Sequence, residues 1–129
     1  LEKFADLEGK TGSYILYSTI RMKSLLAKAA GLKQEKMQLI GGETEKEIAL
    51  TILSMPTVLT KAKEARSLND IAEFLYKLTS LYNKFYSENK VLVEENQQLQ
   101  ESWLVLTKIV YDINNLLLDV LGIKVPEKM

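Results

Sequence analysis

Side chains that could bind a ligand are concentrated near the start of the chain, at Tyr14, Tyr17 and Arg21. Positions three and four apart share one face of a helix, so the two rings and the guanidinium would line one side. Flat rings and a guanidinium plane are groups on which an unstacked nucleobase can lie. The alternative is that both tyrosines are ordinary core or boundary residues, and their spacing is compatible with either interpretation.

Two side chains that are common in hydrolytic and metal-dependent catalysis are absent from the sequence. It has no histidine and no cysteine, which removes the usual general base, the usual metal ligand and thiolate chemistry. The acidic runs Glu94-Glu95 and Glu43, Glu45 and Glu47 are adjacent or alternating, so their side chains fan around a helix instead of converging. We therefore expect no catalytic residue, metal or cofactor in this chain, and interpret both runs as solvated charge.

The charge of the chain is balanced in total and uneven in distribution. Seventeen basic residues match seventeen acidic ones, which gives no general attraction to nucleic acid. The charged residues of segment 21–36 are nevertheless basic apart from Glu35, while acidic residues gather at 43–47 and 94–101. Lys23 and Lys28 are therefore candidate phosphate contacts, and the open alternative is that they form the solvated face of a helix.

Length and composition are those of one domain. With 129 residues, 47% of them apolar, the chain can bury a core. It begins Leu1-Glu2-Lys3, so we expect a piece of a larger protein whose other part holds the chemistry. No apolar run approaches the roughly 20 residues of a membrane span, and no leader pattern opens the chain. We expect a cytoplasmic monomer that does not contact a membrane.

Periodicity predicts helices and no strands. We expect residues 1–12 to form a lead-in segment from an upstream domain and residues 13–129 to form a helical domain. The first helix is predicted from Ser13, as its N-cap, to Ala30, with Gly31 as its stop. The fold class predicted is all-α, a single bundle of four to five helices.

Further helices follow from capping and proline signals. Thr44 and Glu47 fit a capping box at the start of the second helix, and Pro56 should end that helix and open a third. A long helix should begin near Ser67, and one of its faces is expected to form the middle of the core: Ile71, Leu75, Leu78, Tyr82 and Phe85. A last helix should end at Gly122 and turn these residues inward: Leu99, Trp103, Leu106, Val110, Ile113, Leu117 and Val120.

The segment around the two tyrosines resembles the opening of the C-terminal anticodon-binding domain of arginyl-tRNA synthetases, often called the DALR domain. Ser13 and Leu16 replace a Pro and a Gln of that pattern, and the other positions of the segment match it: Glu8, Gly9, Thr11, Gly12, Tyr14, Tyr17 and Arg21. The resemblance resumes over 74–78 and 82–92 and closes over 121–129. Three blocks in the same order are more specific than any one of them.

This resemblance implies a domain that binds the anticodon of arginine tRNA, within an enzyme that joins arginine to that tRNA using ATP. The ATP-handling signatures of such enzymes are not found in this sequence, so ATP and catalysis are assigned to an upstream catalytic domain. By position, the resemblance implies six anticodon-binding residues: Tyr14, Tyr17, Arg21, Asn83, Tyr86 and Met129 with its carboxylate. It also implies that specificity centres on a cytosine at the middle anticodon position.

Two alternatives remain open at this point. A helical protein-interaction module without an RNA role would also account for the balanced charge and the helical periodicity. The equivalent domain of a cysteinyl or glycyl enzyme is disfavoured by Tyr14 and by the C-terminal segment 126–129. Trp103 replaces a common Arg of the family, so we interpret Trp103 as a packing residue.

Overall fold

The computed structural model describes residues 11–127, and the regular structure of this part of the chain is helical. Its five α-helices are α1 Gly12–Lys28, α2 Glu43–Leu53, α3 Met55–Ala65, α4 Asn69–Glu88 and α5 Gln97–Val120. A short 3-10 turn, Val91–Val93, lies between α4 and α5. The predicted all-α bundle is therefore confirmed. Among the helices of this range, none combines the length and apolar character needed to cross a bilayer.

Helix α4 is the centre of the bundle, since it packs against each of the other four helices. Its predicted core face is buried along its whole length: Ile71, Leu75, Leu78, Tyr82 and Phe85. Helix α5 adds the largest number of buried residues, and α1 closes the core with Ile15, Met22 and Leu25. The prediction for Val120 is wrong, because this residue lies at the end of α5 and is 48% exposed.

Two predicted chain breaks are confirmed. Helix α2 ends at Leu53, and Pro56 lies in the first turn of α3, where its missing N–H costs no hydrogen bond. Gly122 follows α5 with a φ of +77° and donates its N–H to the carbonyl of Asp119 at 2.9 Å. Ile123 donates to the Leu118 carbonyl at 2.8 Å, which completes a glycine-terminated helix end.

The predicted capping box of α2 is wrong. The N-cap of α2 is Gly42, and the Thr44 hydroxyl donates instead to Glu88 of α4 at 3.0 Å. Glu45, not Glu47, turns back to the chain: its Oε2 accepts from the Gly41 N–H at 2.7 Å and from the Trp103 indole at 3.1 Å. A partner on α4 thus replaces the local cap that the sequence favours for Thr44, and Glu45 joins the start of α2 to α5. Similarly, α1 begins at Gly12 with Thr11 as its N-cap, so Ser13 lies inside the helix.

The connection between α1 and α2 is irregular and is held by the start of α5. Glu101 accepts hydrogen bonds from the backbone N–H groups of Glu35 and Lys36, both at 3.0 Å. Ser102 accepts two more from the following part of the loop, at 2.8 and 2.9 Å. Hydrogen bonds from the Lys36 and Glu35 N–H groups hold the pKa of Glu101 below its ordinary value. We call residues 34–41 the α1–α2 loop.

A polar group inside the core fixes α1, α4 and α5 relative to one another. Asn114 of α5 is fully buried, and its Nδ2 donates to the hydroxyls of Thr19 on α1 at 3.0 Å and Thr79 on α4 at 3.1 Å. The Tyr82 hydroxyl bonds to Thr107 at 2.9 Å. Buried hydrogen bonds of this kind are satisfied in one arrangement of the helices, so they set how α1 lies against α4.

Candidate functional site

Helices α1 and α4 meet along a line of aromatic and polar side chains, some exposed and some half-buried, with Ser18 buried. Each of its three contacts joins one residue of α1 to one of α4: Tyr14 to Tyr76, Ser18 to Asn83, and Arg21 to Tyr86. We call these six residues the α1–α4 strip. Because residue numbers rise together in both helices, α1 and α4 run in the same direction along it. Tyr86 lies ten positions after Tyr76, which is about 15 Å along α4.

At one end of the strip two tyrosines face each other. The ring centroids of Tyr14 and Tyr76 are 5.6 Å apart, and their planes are inclined by 50°. Tyr14 is 37% exposed and Tyr76 47% exposed. The sequence places Tyr76 only at the edge of the core and does not identify it as a site residue. Its spacing of seven from Asn83 is the signal that could have found it, because seven residues are two helical turns.

In the middle of the strip lies an amide whose oxygen has no hydrogen-bond partner among the described residues. The Ser18 hydroxyl donates to the Tyr14 carbonyl at 2.9 Å, so it acts as an acceptor towards Asn83. Asn83 therefore directs its Nδ2 to Ser18, at 2.6 Å, and its Oδ1 is left as an acceptor. Among residues 11–127 this buried Oδ1 has no hydrogen-bond partner. An unmet acceptor costs free energy, which a ligand that donates a hydrogen bond would recover.

At the other end, Tyr86 contacts both a buried ring and an exposed cation. Tyr82, which is 1% exposed, stacks on it with centroids 6.3 Å apart and planes 19° apart. Arg21 lies at the surface with its guanidinium carbon 4.9 Å from the centre of the Tyr86 ring. A guanidinium supported in this way offers a flat, positively charged face to solvent. Burial raises the pKa of the Tyr82 hydroxyl well above its ordinary value, so that ring stays neutral.

The other residues predicted for the site lie beside the strip or outside the described range. Tyr17 is 60% exposed and borders a small surface hollow together with Arg21. Lys23 and Lys28 are both exposed on α1. Lys28 is two turns beyond Arg21 and shares its side of the helix, whereas Lys23 points to nearly the opposite side. Met129 falls outside residues 11–127, so its contact stays a prediction.

A hollow beyond Tyr86 was not predicted. It has a volume of about 400 Å³ and is bordered by Tyr86 and the segment 89–93, with Leu25 of α1 on the other side. Lys90 contributes a positive charge to its rim. The predicted long helix ends just before this segment, and the sequence carries no motif that would mark it as a site.

Two further expectations concern packing and metals. Trp103 is 6% exposed and meets the Phe85 ring edge-on, at a centroid distance of 5.8 Å, which confirms its role in packing. No group of three acidic residues that could hold a metal ion occurs in the range 11–127.

Comparison with known proteins identifies the family. The model of the "DALR anticodon binding domain" matches residues 15–129. The arginine–tRNA ligase of Maricaulis maris is 33% identical over the whole chain, and that of Agathobacter rectalis is 30% identical. The chain spans only 22% and 23% of the length of these two relatives.

Solved structures agree with this relationship. An arginyl-tRNA synthetase of Thermus thermophilus matches with a TM-score of 0.77 and 28% identity, over 95% of this chain and 22% of that one. A putative arginyl-tRNA synthetase of Campylobacter jejuni matches with a TM-score of 0.78 and 29% identity, over 97% of this chain and 29% of that one. The chain therefore belongs to the DALR anticodon-binding domain family, as its sequence resemblance predicted.

Proposed function

We propose that this chain is the anticodon-binding domain of an arginine–tRNA ligase and that the α1–α4 strip contacts the anticodon loop of arginine tRNA. The observation that carries the proposal is the strip itself, in which two aromatic contacts flank an amide with a free acceptor. Unpaired loop bases are recognised by this combination of flat surfaces for stacking and polar groups for their edges.

Stacking supplies the affinity in this proposal. The Arg21 guanidinium, supported by Tyr86, presents one exposed plane, and Tyr14 and Tyr17 are exposed rings on the same helix. A base stacked on such a group contributes roughly 1–3 kcal/mol, as measured by alanine substitution. This term does not depend on a high net charge, so it is compatible with the zero net charge of the chain.

Asn83 supplies the specificity. The exocyclic amino group of cytosine is a hydrogen-bond donor, whereas uracil presents a carbonyl oxygen at the same position. The free Oδ1 of Asn83 would accept from cytosine and oppose the carbonyl of uracil. The oxygen is covered in the free protein, so surface side chains around it must shift when the base enters. This is the physical basis that we propose for selecting cytosine at the middle anticodon position.

The C-terminus and one lysine complete the proposed site. Ile123 and Val125 pack against the core after the Gly122 turn, so the chain stays close to the bundle as it approaches its end. We assign Met129 and its carboxylate to the anticodon contact on the family resemblance. Of the two candidate phosphate contacts, Lys28 is favoured over Lys23, because it lies on the side of α1 that carries Arg21.

The larger protein would carry the chemistry. We propose that residues 13–129 form the anticodon-binding domain, that residues 1–12 lead in from an upstream catalytic domain, and that this domain uses ATP to join arginine to tRNA. The parent would act as a cytoplasmic monomer. The chain spans less than a quarter of the two relatives described above, which leaves ample length for such a domain.

The test is a titration of the 129-residue chain with an arginine tRNA transcript and with a transcript whose middle anticodon cytosine is replaced by uracil. We expect tighter binding of the first, and weaker binding of both when Tyr86→Ala is introduced. Binding should also weaken steeply from low to moderate salt, as phosphate contacts require and as a protein-interaction module would not. Equal affinity for both transcripts with no effect of Tyr86→Ala would contradict the proposal.

Tyr111→Ala is the matched control. Tyr111 lies on α5 with the Lys108 ammonium 5.6 Å from the centre of its ring, so it reproduces the cation–ring contact of Arg21 and Tyr86 outside the strip. It should leave the affinity for both transcripts unchanged. Loss of binding in this variant would show that tyrosine removal weakens the fold instead of removing a contact.

A further inference from the structure

We propose that Tyr14 and Tyr76 form a second stacking site, which holds a different base of the same loop from the one bound at Arg21 and Tyr86. Tyr76 is then an RNA-binding residue in its own right. This inference rests on the proposed function and extends it to a residue outside the predicted site.

The first argument is exposure. The Tyr14–Tyr76 pair and the Tyr82–Phe85 pair have the same ring distance, 5.6 Å, and nearly the same inclination, 50° and 52°. Tyr82 and Phe85 are at most 1% exposed and fill the core, whereas Tyr14 and Tyr76 are 37% and 47% exposed. The exposed pair therefore keeps ring surface in water that a third flat ring could cover.

The second argument is distance. The two ends of the strip are about 15 Å apart along α4, while stacked neighbouring bases in a nucleic acid strand are only about 3.4 Å apart. One base cannot contact both ends, and two bases that remain stacked on each other cannot either. A loop with splayed bases could contact both, as single-stranded RNA loops do when proteins bind them.

The third argument is chemistry. Asn83 lies between the two ends and offers the unmet acceptor, so hydrogen-bond selection belongs to the middle of the strip. The Tyr14–Tyr76 end offers rings, which stack on any base. We therefore assign to Tyr76 a stacking contact that depends little on the identity of the base, and to the region of Asn83 the selection of the base.

The experiment compares Tyr76→Leu, which keeps apolar volume but loses the ring, with Tyr76→Phe, which keeps the ring. Both are tested in the 129-residue chain against the arginine tRNA transcript. We expect about 5- to 10-fold weaker binding for Tyr76→Leu and a change within about 2-fold for Tyr76→Phe. Tyr111→Leu is the matched control and should bind as the unchanged chain does.

A second arm identifies the base. Synthetic anticodon stem–loops, each with an abasic residue at one loop position, are titrated with the unchanged chain and with Tyr76→Leu. At one position the abasic change should weaken binding by the unchanged chain about 5- to 10-fold. The same change should not weaken binding by Tyr76→Leu any further, because the ring that stacks on that base is already gone. That position should differ from the one at which Tyr86→Ala shows the same behaviour.

The outcomes separate this inference from the function on which it rests. Suppose that the unchanged chain discriminates the middle base. If Tyr76→Leu then binds the transcript within 2-fold of the unchanged chain, or if every abasic change weakens Tyr76→Leu as much as it weakens the unchanged chain, the second stacking site is wrong and the function stands. If the unchanged chain binds both transcripts equally, if no abasic residue in the loop weakens its binding, and if Tyr86→Ala has no effect, both are wrong. Where circular dichroism shows that the leucine variant has lost helix, Tyr76→Gln repeats the test with another residue that favours helices.

Discussion

Helix α4 carries one tyrosine-containing ring pair on its buried face and contributes to another on its exposed face, and the two pairs are nearly identical in geometry. Tyr82 and Phe85 are 5.6 Å apart in the core, and Tyr76 lies 5.6 Å from Tyr14 at the surface. Their exposure differs greatly: the core rings are at most 1% exposed, and the surface rings are 37% and 47% exposed. Ring geometry alone therefore says little about function, and burial decides whether a ring stabilises the fold or is available to a ligand.

The two asparagines repeat this contrast. Asn114 in the core donates to two hydroxyls, on α1 and on α4, and so joins three helices. Asn83 in the strip donates to one, Ser18, and keeps its Oδ1 unpaired within residues 11–127. Asn114 has an unpaired Oδ1 as well, and both oxygens are covered, but Asn114 as a whole is 0% exposed, whereas Asn83 is half-buried next to exposed side chains of the strip. Asn114 fixes the helices relative to one another, and their packing in turn positions the half-buried Asn83.

The largest expected effect is on stability, from the buried pair. Phe85→Ala should lower the free energy of unfolding by about 3–5 kcal/mol, because it removes a fully buried ring and leaves a cavity. Tyr76→Ala, on the exposed pair, should change it by no more than about 1 kcal/mol. Urea unfolding followed by circular dichroism measures both. Similar losses in the two variants would remove the distinction between the faces of α4.

Next comes tRNA affinity at the Arg21–Tyr86 contact. Arg21→Ala should weaken binding of the arginine tRNA transcript about 5- to 150-fold, since it removes both the charge and the exposed plane. Arg21→Lys keeps the charge and loses the plane, so its affinity should fall between that of the unchanged chain and that of Arg21→Ala. Lys108→Ala removes the matching cation beside Tyr111 and should have no effect. If Arg21→Lys binds as tightly as the unchanged chain, the role of Arg21 is electrostatic and no base stacks on it.

Base discrimination should depend on one asparagine and not on the other. Asn83→Ala should reduce the preference for cytosine over uracil at the middle position by about 1–3 kcal/mol, because the acceptor that distinguishes them is gone. Asn114→Ala should destabilise the fold by about 1–3 kcal/mol and leave the preference unchanged. The ratio of the two transcript affinities at a temperature where both variants are folded provides the measurement. An unchanged ratio in Asn83→Ala would place base selection elsewhere.

The parts of the fold that the sequence predicts are those set by one residue type or one repeat. The core face of α4 follows from its helical spacing, and the end of α5 follows from Gly122, whose φ of +77° favours glycine. The capping box at Thr44 failed because the helix begins after Gly42 and the Thr44 hydroxyl bonds to Glu88 of α4, while the neighbouring Glu45 accepts from Trp103 of α5. Such partners are distant in sequence, so local patterns do not contain them.

The same reason limits prediction of the site. The contact of Arg21 with Tyr86 and that of Ser18 with Asn83 join residues more than 60 positions apart, and only the packing of α1 on α4 brings them together. The resemblance to a family suggested Tyr14, Arg21 and Asn83, but it did not suggest Tyr76, whose exposure depends on how it lies against Tyr14. The functional assignment of these residues stays a prediction.

The smallest effect on RNA binding is expected at Glu101, which holds the α1–α2 loop and is not part of the strip. Its pKa in the folded chain lies below the ordinary value for Glu, about 4.3. The stability that Glu101 contributes is therefore present above about pH 4.3 and is lost as the pH falls through the lower, folded pKa. Glu101→Gln should lower stability at pH 7 and remove this part of the acid dependence, while tRNA affinity at pH 7 changes less than 2-fold. Amide NMR shifts of Glu35 and Lys36 between pH 7 and pH 3 report the titration directly, and a midpoint at or above 4.3 would show that the two N–H groups do not stabilise the carboxylate.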